Sequence, residues 1–209
     1  MTPRTRLAAD LPAGPGLHLL VKAAIVSTVI GLAGCDRYTG GARPVAPAQI
    51  VPAAGWVVAH ATPTLRQHGR SDCGAAAVAM VSQRWQRGLS VDQAGRVLAL
   101  HDGHGARLGA LRDLARQRGL AAFAIRGDKA MLRFELQAGR PVIVGLHLPQ
   151  GRRSLPHYEV VVAIHADGRV VTIDPARGWR SRSWADLDAE WRPAGRPALV
   201  VLGQHVRPR

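Results

Sequence analysis

The chain has 209 residues, of which 47% are hydrophobic, and a formal net charge of +14 that is carried almost entirely by arginine. This composition argues against a chain that is disordered throughout, and the length predicts one domain with an appendage or two small domains. The basic residues are scattered and lack interleaved aromatic residues, whereas a nucleic-acid-binding protein concentrates them in a patch or stripe. We therefore expect no nucleic-acid partner.

The first 34 residues have the pattern of an export signal. Basic residues outnumber acidic ones in residues 1–22, and the segment AAIVSTVIGLAG at 23–34 carries no charge. This segment is shorter than the about 20 residues that span a bilayer and is typical of the apolar core of a signal peptide. It leads into LAGC at residues 32–35, which resembles a bacterial lipobox, in which the cysteine is acylated and becomes the mature N-terminus.

The sequence therefore predicts a lipoprotein signal peptide at 1–34 and a lipid on Cys35. An ordinary signal peptide or an uncleaved anchor is the alternative. The expected location is the bacterial cell envelope, lipid-anchored on the periplasmic side of the inner or the outer membrane. Residues 36–55 are rich in Pro, Gly and Ala without periodicity, which predicts a tether between the lipid and a domain at 56–206.

The cysteine count bears on the role of Cys73. The chain has 2 cysteines, and in an exported protein a disulfide between them is the ordinary expectation. If Cys35 carries lipid, however, Cys73 has no partner. Because an exposed lone thiol outside the cytoplasm is prone to oxidation, a catalytic reason for Cys73 then becomes the better explanation.

The first half of the domain has helical periodicity. Apolar residues recur at helical spacing after Cys73, with Asp72 as the candidate N-cap of that helix. Ser90 and Gln93 have the spacing of a capping box. The predicted helices lie at 74–87, 90–100, 108–117 and 128–138, with a short strand at 121–125 between the last two.

The second half changes to strand-like patterns. Runs rich in β-branched residues lie at 141–148, 157–165, 169–174 and 197–203, separated by Gly, Pro and Asp. A short helix is predicted at 184–191, with Trp184, Leu187 and Trp191 on its core-facing side. Helices followed by strands predict an α+β fold.

Cys73 lies where a thiol is easily activated. Unpaired amides at a helix start and a nearby imidazolium both lower a thiol pKa, and Gly74 lets a substrate backbone approach closely. Gln67, six residues upstream, has a side-chain amide that can donate to an oxyanion, together with the backbone N–H of Cys73.

Three motifs resemble one known family. Gln67 followed after five residues by Cys73-Gly74, then His157-Tyr158 opening an apolar strand, and DPARG at 174–178 closing the next strand are similar to the double-glycine (bacteriocin-processing) cysteine peptidases of the papain-like clan. The resemblance covers nearly all of residues 63–192. It implies a papain-like fold, with a helical first half packed on an antiparallel sheet from the second half.

The resemblance also implies the roles of the site residues. Cys73 is the expected nucleophile, His157 the general base, Asp174 the residue that orients the imidazole, and Gln67 a donor lining the oxyanion hole. The expected activity is peptide-bond cleavage through a thioester, with a preference for cleavage after Gly-Gly. A peptide or protein substrate follows from it, export machinery is a candidate partner, and no cofactor is expected.

Alternatives remain at several positions. The histidines that compete with His157 are His68, His147 and His165, of which we expect His68 at the surface and His165 in a hairpin turn. A metal site at His101, Asp102 and His104 is only weakly indicated. An acyl- or amidotransferase using the same triad, or a non-catalytic peptide-binding domain, is the alternative function.

The spacing of His157 and Asp174 raises a geometric difficulty. A two-residue turn at Asp167-Gly168 would place Asp174 opposite Val161, on the same face as His157 but about 13 Å along the strand from it. A direct contact between His157 and Asp174 therefore requires a longer turn than the Asp-Gly pair indicates.

Overall fold

The fold is known from a computed structural model, which describes residues 38–59, 61–100 and 105–203. Cys35 and the signal segment lie outside these residues, as do His101, Asp102 and His104. Within the described ranges, no helix combines the length and the apolar character that crossing a membrane requires.

The helices occur close to the places where periodicity predicted them. Ser90 and Gln93 form the predicted capping box, whereas Asp72 stands at the N-cap position of the first helix without a side-chain cap. The helices are α1 (Cys73–Arg84), α2 (Val91–Val97), α3 (Leu108–Gln117), α4 (Lys129–Gln137) and α5 (Trp184–Trp191).

The strands form one antiparallel sheet, so the predicted α+β class is confirmed. Its path has the order β1-β7-β6-β5-β4-β8-β3, and β2 pairs separately with β5. The strands are β1 (Arg43–Pro44), β2 (Trp56–Val58), β3 (Ala121–Arg126), β4 (Val142–Gln150), β5 (Arg153–His165), β6 (Arg169–Asp174), β7 (Gly178–Ser183) and β8 (Pro197–Leu202).

Helix α1 packs against β5 and is buried along most of its length. Its first turns are Gly74 and three alanines, and small side chains allow a helix to lie close to a sheet. A Cβ on Gly74 would lie 3.2 Å from the Tyr158 ring and 3.3 Å from Leu111. Close packing thus fixes the start of α1 against β5, where Cys73 and His157 meet. The other face of the sheet is covered by α4 and α5, whose Leu187 and Trp191 are fully buried as predicted.

The segment before the main helices differs from the predicted tether. The Thr39 N–H donates to the Pro149 carbonyl at 3.0 Å, and β1 pairs with β7. Ile50 is only 5% exposed and joins the core. Residues 38–55 therefore pack on the domain, because Tyr38, Ile50 and the backbone of β1 find partners there that a count of Pro, Gly and Ala does not reveal.

The hairpin between β5 and β6 resolves the spacing difficulty in two steps. Three residues, 166–168, separate the two strands, one more than the turn indicated by Asp167-Gly168. Gly168 takes a positive φ of 92° and its N–H donates to the His165 carbonyl at 3.0 Å. His165 therefore lies at the turn, as predicted.

The second step is a β-bulge in β5. The register shifts between Val161 and Ala163, so that Ile173 pairs with Val160. Asp174 consequently lies level with Glu159, two residues from His157 rather than four. Diagonal neighbours on adjacent strands are within reach of long side chains, so His157 and Asp174 touch without standing directly opposite each other.

Candidate active site

Cys73 is the first residue of α1 and is a free, buried thiol. The side chain of Asp72 does not cap the helix. It turns back into the preceding loop, where it accepts from the Gly69 N–H at 2.8 Å. Because no side chain of the N-cap residue occupies the amides of the first turn, those amides remain available to the thiol or to a substrate oxygen.

His157 lies between the thiol and a carboxylate. Its Nε2 is 2.8 Å from Asp174 Oδ1, and both residues are buried. A hydrogen bond also joins the imidazole to the Cys73 thiol. With Nε2 engaged by Asp174, Nδ1 is the nitrogen left for sulfur. The structure thus brings Cys73, His157 and Asp174 into one hydrogen-bonded chain.

The electrostatics of this chain favour a charged pair. Burial by itself raises the Cys73 pKa, but the hydrogen bond and the charge of His157, together with the N–H groups of Tyr158 and Gly74, bring it below its ordinary value. Burial opposes the imidazolium, yet the hydrogen bonds to Asp174 and Cys73 raise the His157 pKa to about 10. These two shifts favour the thiolate and the imidazolium over the neutral thiol and the neutral imidazole.

Asp174 is held as a carboxylate by its neighbours. Burial raises its pKa, but the hydrogen bond and the charge of His157, the Ala176 N–H and the charge of Arg177 together lower the pKa below the usual value. Asp174 Oδ1 accepts from the Ala176 N–H at 2.8 Å, and Arg177 Nη1 lies 3.8 Å from Oδ2. The turn after β6 thus fixes the position of the carboxylate that is hydrogen-bonded to the imidazole.

Gln67 lies in the loop before α1, beside the turn that follows Asp174. The Gln67 N–H donates to the Pro175 carbonyl at 3.1 Å, and Arg66 donates to the Ala176 carbonyl at 2.7 Å. The side-chain nitrogen of Gln67 donates to the Gly69 carbonyl at 2.8 Å, which engages one of its two N–H groups. The loop is therefore fastened to the Asp174 turn, and one amide hydrogen of Gln67 is left for another acceptor.

A cleft of about 490 Å³ opens beside the thiol. Cys73, His157 and Tyr158 form part of its wall, and Gly105, Ala106 and Gly145 line it with little side-chain volume. Burial, followed by the charge of Cys73, raises the Tyr158 pKa to about 12. The tyrosine is therefore neutral at physiological pH and contributes a polar but uncharged group to the cleft.

The competing histidines occupy other places. His68 is exposed and pairs with Asp92 at 2.7 Å, which agrees with the surface position predicted for it. His165 contacts the Ala54 carbonyl at 2.8 Å. His147 lines the cleft from β4 but has no contact with Cys73 among the described hydrogen bonds.

One cluster has the composition of a metal site. A nitrogen of His157 and a carboxylate oxygen from each of Glu159 and Asp174 lie within 4.8 Å of one another. Glu159, however, is already paired with Arg182, and the Asp174 oxygen that faces His157 accepts two hydrogen bonds. These atoms serve ion pairs within the protein, so the cluster gives no ground for assigning a metal.

The sequence reasoning missed a buried charge network behind the site. Arg182 pairs with Glu159 and Glu190, donates to Thr172 Oγ1 at 3.1 Å, and Tyr38 donates to Glu190. One signal was present: Glu159 is an acid inside the apolar run HYEVVVAIH. A charge in such a run requires a buried partner, although the sequence does not say which one.

Comparisons with known proteins agree on one family. The model of the Peptidase C39 family matches residues 61–195. Among solved structures, a double glycine motif protease from an AMS/PCAT transporter, solved with its leader peptide, is 18% identical with a TM-score of 0.55, covering 68% of this chain and 91% of that one. The peptidase domain of Streptococcus ComA, a bi-functional ABC transporter involved in quorum sensing, is 22% identical with a TM-score of 0.56, covering 67% and 97%. No curated protein gives a significant match.

The matched region contains the whole hydrogen-bonded chain. It begins before the Gln67 loop and ends after α5, so that it includes Cys73, His157 and Asp174. The structural matches show the shared fold, and the family model spans more than half of the sequence. The chain therefore belongs to the peptidase C39 family and is a cysteine peptidase.

Proposed function

We propose that this peptidase cleaves peptide bonds with a Cys73-His157-Asp174 triad. The observation that carries the proposal is the buried chain from thiol to imidazole to carboxylate, with His157 Nε2 2.8 Å from Asp174 Oδ1. The Cys73 thiolate attacks the amide carbonyl. His157 then gives its proton to the leaving amine, and a thioester remains. Water, deprotonated by His157, attacks the thioester; the acid is released, and the Cys73 thiolate and the His157 imidazolium are restored.

The oxyanion of each tetrahedral intermediate needs donors near Cys73. The backbone N–H of Cys73 lies at the start of α1, where helix amides have no partner within the helix. Gln67 is the proposed second donor, through the amide hydrogen that Gly69 does not engage. A pair of such donors stabilises charge that develops only during the reaction.

The expected substrate carries small residues before the cleaved bond. Gly105, Ala106 and Gly145 line the cleft near the thiol, and a Cβ on Gly145 would lie 3.0 Å from Pro197 and 3.2 Å from Tyr158. Small residues on a crowded part of the cleft wall suit an extended substrate backbone without side chains. This supports cleavage after Gly-Gly, the motif named for the protease from the AMS/PCAT transporter.

Thiol titration tests the triad. In the full chain carrying Cys35→Ala, Cys73 is the only thiol, and its rate of alkylation by iodoacetamide should reveal a thiolate with a pKa well below the about 8.5 of an ordinary cysteine. His157→Ala should move this pKa upwards and should abolish cleavage of a peptide containing Gly-Gly. An unshifted thiol in the folded protein would contradict the proposal.

The products separate the remaining reactions. A hydrolase releases a free carboxylate from the Gly-Gly peptide, whereas a transferase forms a new amide when a primary amine is added in excess. A non-catalytic peptide-binding domain would form neither product, and its thiol would react no faster than free cysteine. Mass spectrometry of the acyl product therefore assigns the reaction class.

We also propose that Cys35 carries a lipid and anchors the protein to the periplasmic side of a bacterial membrane. LAGC at residues 32–35 and the preceding apolar segment support this placement. Cells fed a labelled fatty acid should label the wild-type protein and leave Cys35→Ala unlabelled and unprocessed. A wild-type protein without label that fractionates as soluble would exclude the anchor.

A further inference from the structure

The His157–Asp174 pair has a second carboxylate beside it. Glu159 lies two residues along β5 from His157, and one of its oxygens is within 4.8 Å of the His157 nitrogen and the Asp174 oxygen. Glu159 is only 1% exposed. A buried carboxylate at this distance is a competitor for the imidazolium unless another group holds it.

Arg182 is the group that holds Glu159. Its Nη2 pairs with Glu159 and donates to Thr172 Oγ1, while its Nη1 pairs with Glu190. All four side chains are buried. A guanidinium can hold two carboxylates in fixed directions, which a single ammonium group cannot do. The fork of Arg182 therefore fixes the direction in which the Glu159 carboxylate points.

The far end of the network belongs to the segment at 38–44. The Tyr38 hydroxyl donates to Glu190 and accepts from the Ala42 N–H at 2.9 Å. The Tyr38 ring also supports the guanidinium of Arg177, at 5.0 Å from its centroid, and Arg177 in turn faces Asp174. Tyr38 is thus joined to the catalytic pair by two routes, its hydroxyl and its ring.

Resting on the proposed triad, we propose that Arg182 is a positioning residue that holds the Glu159 carboxylate away from His157. Asp174 alone then orients the imidazole. Tyr38 stabilises this arrangement through its hydrogen bond to Glu190. The reaction then depends on a side chain that lies only three residues after Cys35 in the sequence.

The decisive experiment releases Glu159 without removing the positive charge. Arg182→Lys keeps a cation but cannot hold both glutamates. The freed carboxylate should compete for the imidazolium and add negative charge near the thiolate. We expect kcat for a Gly-Gly peptide to fall about tenfold with KM within about twofold. The acid limb of Cys73 alkylation by iodoacetamide should move to higher pH, since nearby negative charge opposes the thiolate.

A second substitution distinguishes positioning from structural support. Glu159→Gln, added to Arg182→Lys, removes the competing charge and should restore most of the lost kcat and the acid limb. A purely structural role predicts instead that kcat in each variant follows its free energy of unfolding, and that the acid limb of Cys73 alkylation stays at its wild-type pH. A double variant no better than Arg182→Lys would overturn the proposal, as would a folded Arg182→Lys with wild-type kcat and pH profile.

The pH profile of these variants also depends on the other charged and titratable groups that face His157 and Glu159. These groups are Cys73 from α1, Asp174 and Arg177 around the end of β6, Arg180 from β7, Glu190 from α5, and Tyr38. Arg140→Lys is the matched control. It makes the same substitution in another partly buried ion pair, Arg140–Glu135, which lies just before the start of β4. It should leave the pH profile of Cys73 alkylation unchanged.

Tyr38→Phe gives an independent test if Arg182→Lys does not fold. It removes only the hydroxyl, so the ring still supports Arg177, and kcat should fall about threefold with the acid limb moved in the same direction. Wild-type kinetics in Tyr38→Phe would show that the hydrogen bond from Tyr38 to Glu190 does not contribute to the positioning. If Cys73 of the wild-type protein shows no lowered pKa, the proposed triad is wrong. If that pKa is lowered but Arg182→Lys and Tyr38→Phe have the kcat and the acid limb of wild type, only the role proposed for Arg182 and Tyr38 is wrong.

Discussion

The Cys73 pKa is lowered and the His157 pKa is raised despite burial, because each charged form has several partners. Burial is the largest influence on both groups and opposes both charges. The charge of each partner and the fixed hydrogen bonds to Asp174, Tyr158 and Gly74 outweigh it. An unpaired charge at the same depth would neutralise by shifting its pKa instead. The lowered pKa of Cys73 therefore depends on the hydrogen-bonded chain and not on its helix position alone.

Asp174→Asn tests the charge at the end of this chain. The amide keeps the size of the carboxylate and an oxygen that can accept from His157 and from the Ala176 N–H, but it removes the negative charge that helps to raise the His157 pKa. The imidazolium should therefore be lost at a lower pH than about 10. The alkaline limb of kcat/KM should move to lower pH, and at a pH above that limb the activity should fall about tenfold for each unit of the shift.

The control for this variant is Cys73→Ala, which should leave almost no activity. Asp174→Asn should lose less, because orientation of the imidazole is retained while its charge stabilisation is reduced. Profiles of kcat/KM against pH that superimpose for wild type and Asp174→Asn would show that Asp174 does not set the His157 pKa.

At the scale of elements, the register of the β5–β6 hairpin decides whether His157 and Asp174 can touch. A one-residue slip moves a side chain to the other face of the sheet, whereas a two-residue shift keeps the face and changes the distance. The three-residue turn and the bulge near Val162 supply that two-residue shift together. Either feature alone would put Asp174 on the wrong face.

Gly168→Ala tests the turn. Gly168 has φ of 92°, where a Cβ is strained, so the free energy of unfolding should fall by about 1–2 kcal/mol. Gly95→Ala is the matched control: Gly95 lies inside α2, an added Cβ would meet nothing within 4 Å, and alanine there should stabilise by about 0.5–1 kcal/mol. Urea unfolding measures both. A Gly168→Ala protein as stable as wild type would show that the turn takes another conformation.

What the sequence predicted well was local. Capping at Ser90, the helix at 108–117 and the strand at 169–174 depend on neighbours a few residues away, and all three are observed. What it missed depends on distant partners. The pairing of β1 with GWRSRS in β7 and the hydrogen bond from Tyr38 to Glu190 join residues far apart in the chain. Local pattern carries no information on such contacts.

The candidate site shows the same division. Cys73 was singled out by its place at a helix start, and the resemblance to the double-glycine peptidases indicated His157 and Asp174; the structure places the three in contact. Arg182 and Glu190 were not identified, since neither lies in a motif and both matter only through Glu159. A lone acid in an apolar strand predicts that some buried cation exists, but only the fold selects Arg182.

At the scale of the whole molecule, the described part of the domain starts well before the first long helix. Residues 38–55 contribute a strand to the sheet edge, a core residue in Ile50 and a hydroxyl to the charge network. A segment with these contacts restrains the edge of the sheet and the Glu190 side chain, whereas a flexible tether would not. The structure therefore predicts that stability depends on residues that composition assigned to a linker.

Removal of this segment tests the prediction. A chain that begins at Trp56 loses the burial of Ile50, worth about 2 kcal/mol, and leaves Glu190 without its tyrosine. Part of this loss is offset, because the removed segment no longer has to be ordered on folding. We expect a net loss of about 2–4 kcal/mol in the free energy of unfolding and a fall in kcat. A chain that begins at Asp36 is the control, since it keeps Tyr38 and every contact described here. Urea unfolding followed by tryptophan fluorescence compares the two chains. Equal stability and equal kcat would show that residues 38–55 are a tether after all, and the link from Tyr38 to the catalytic pair would fall with them.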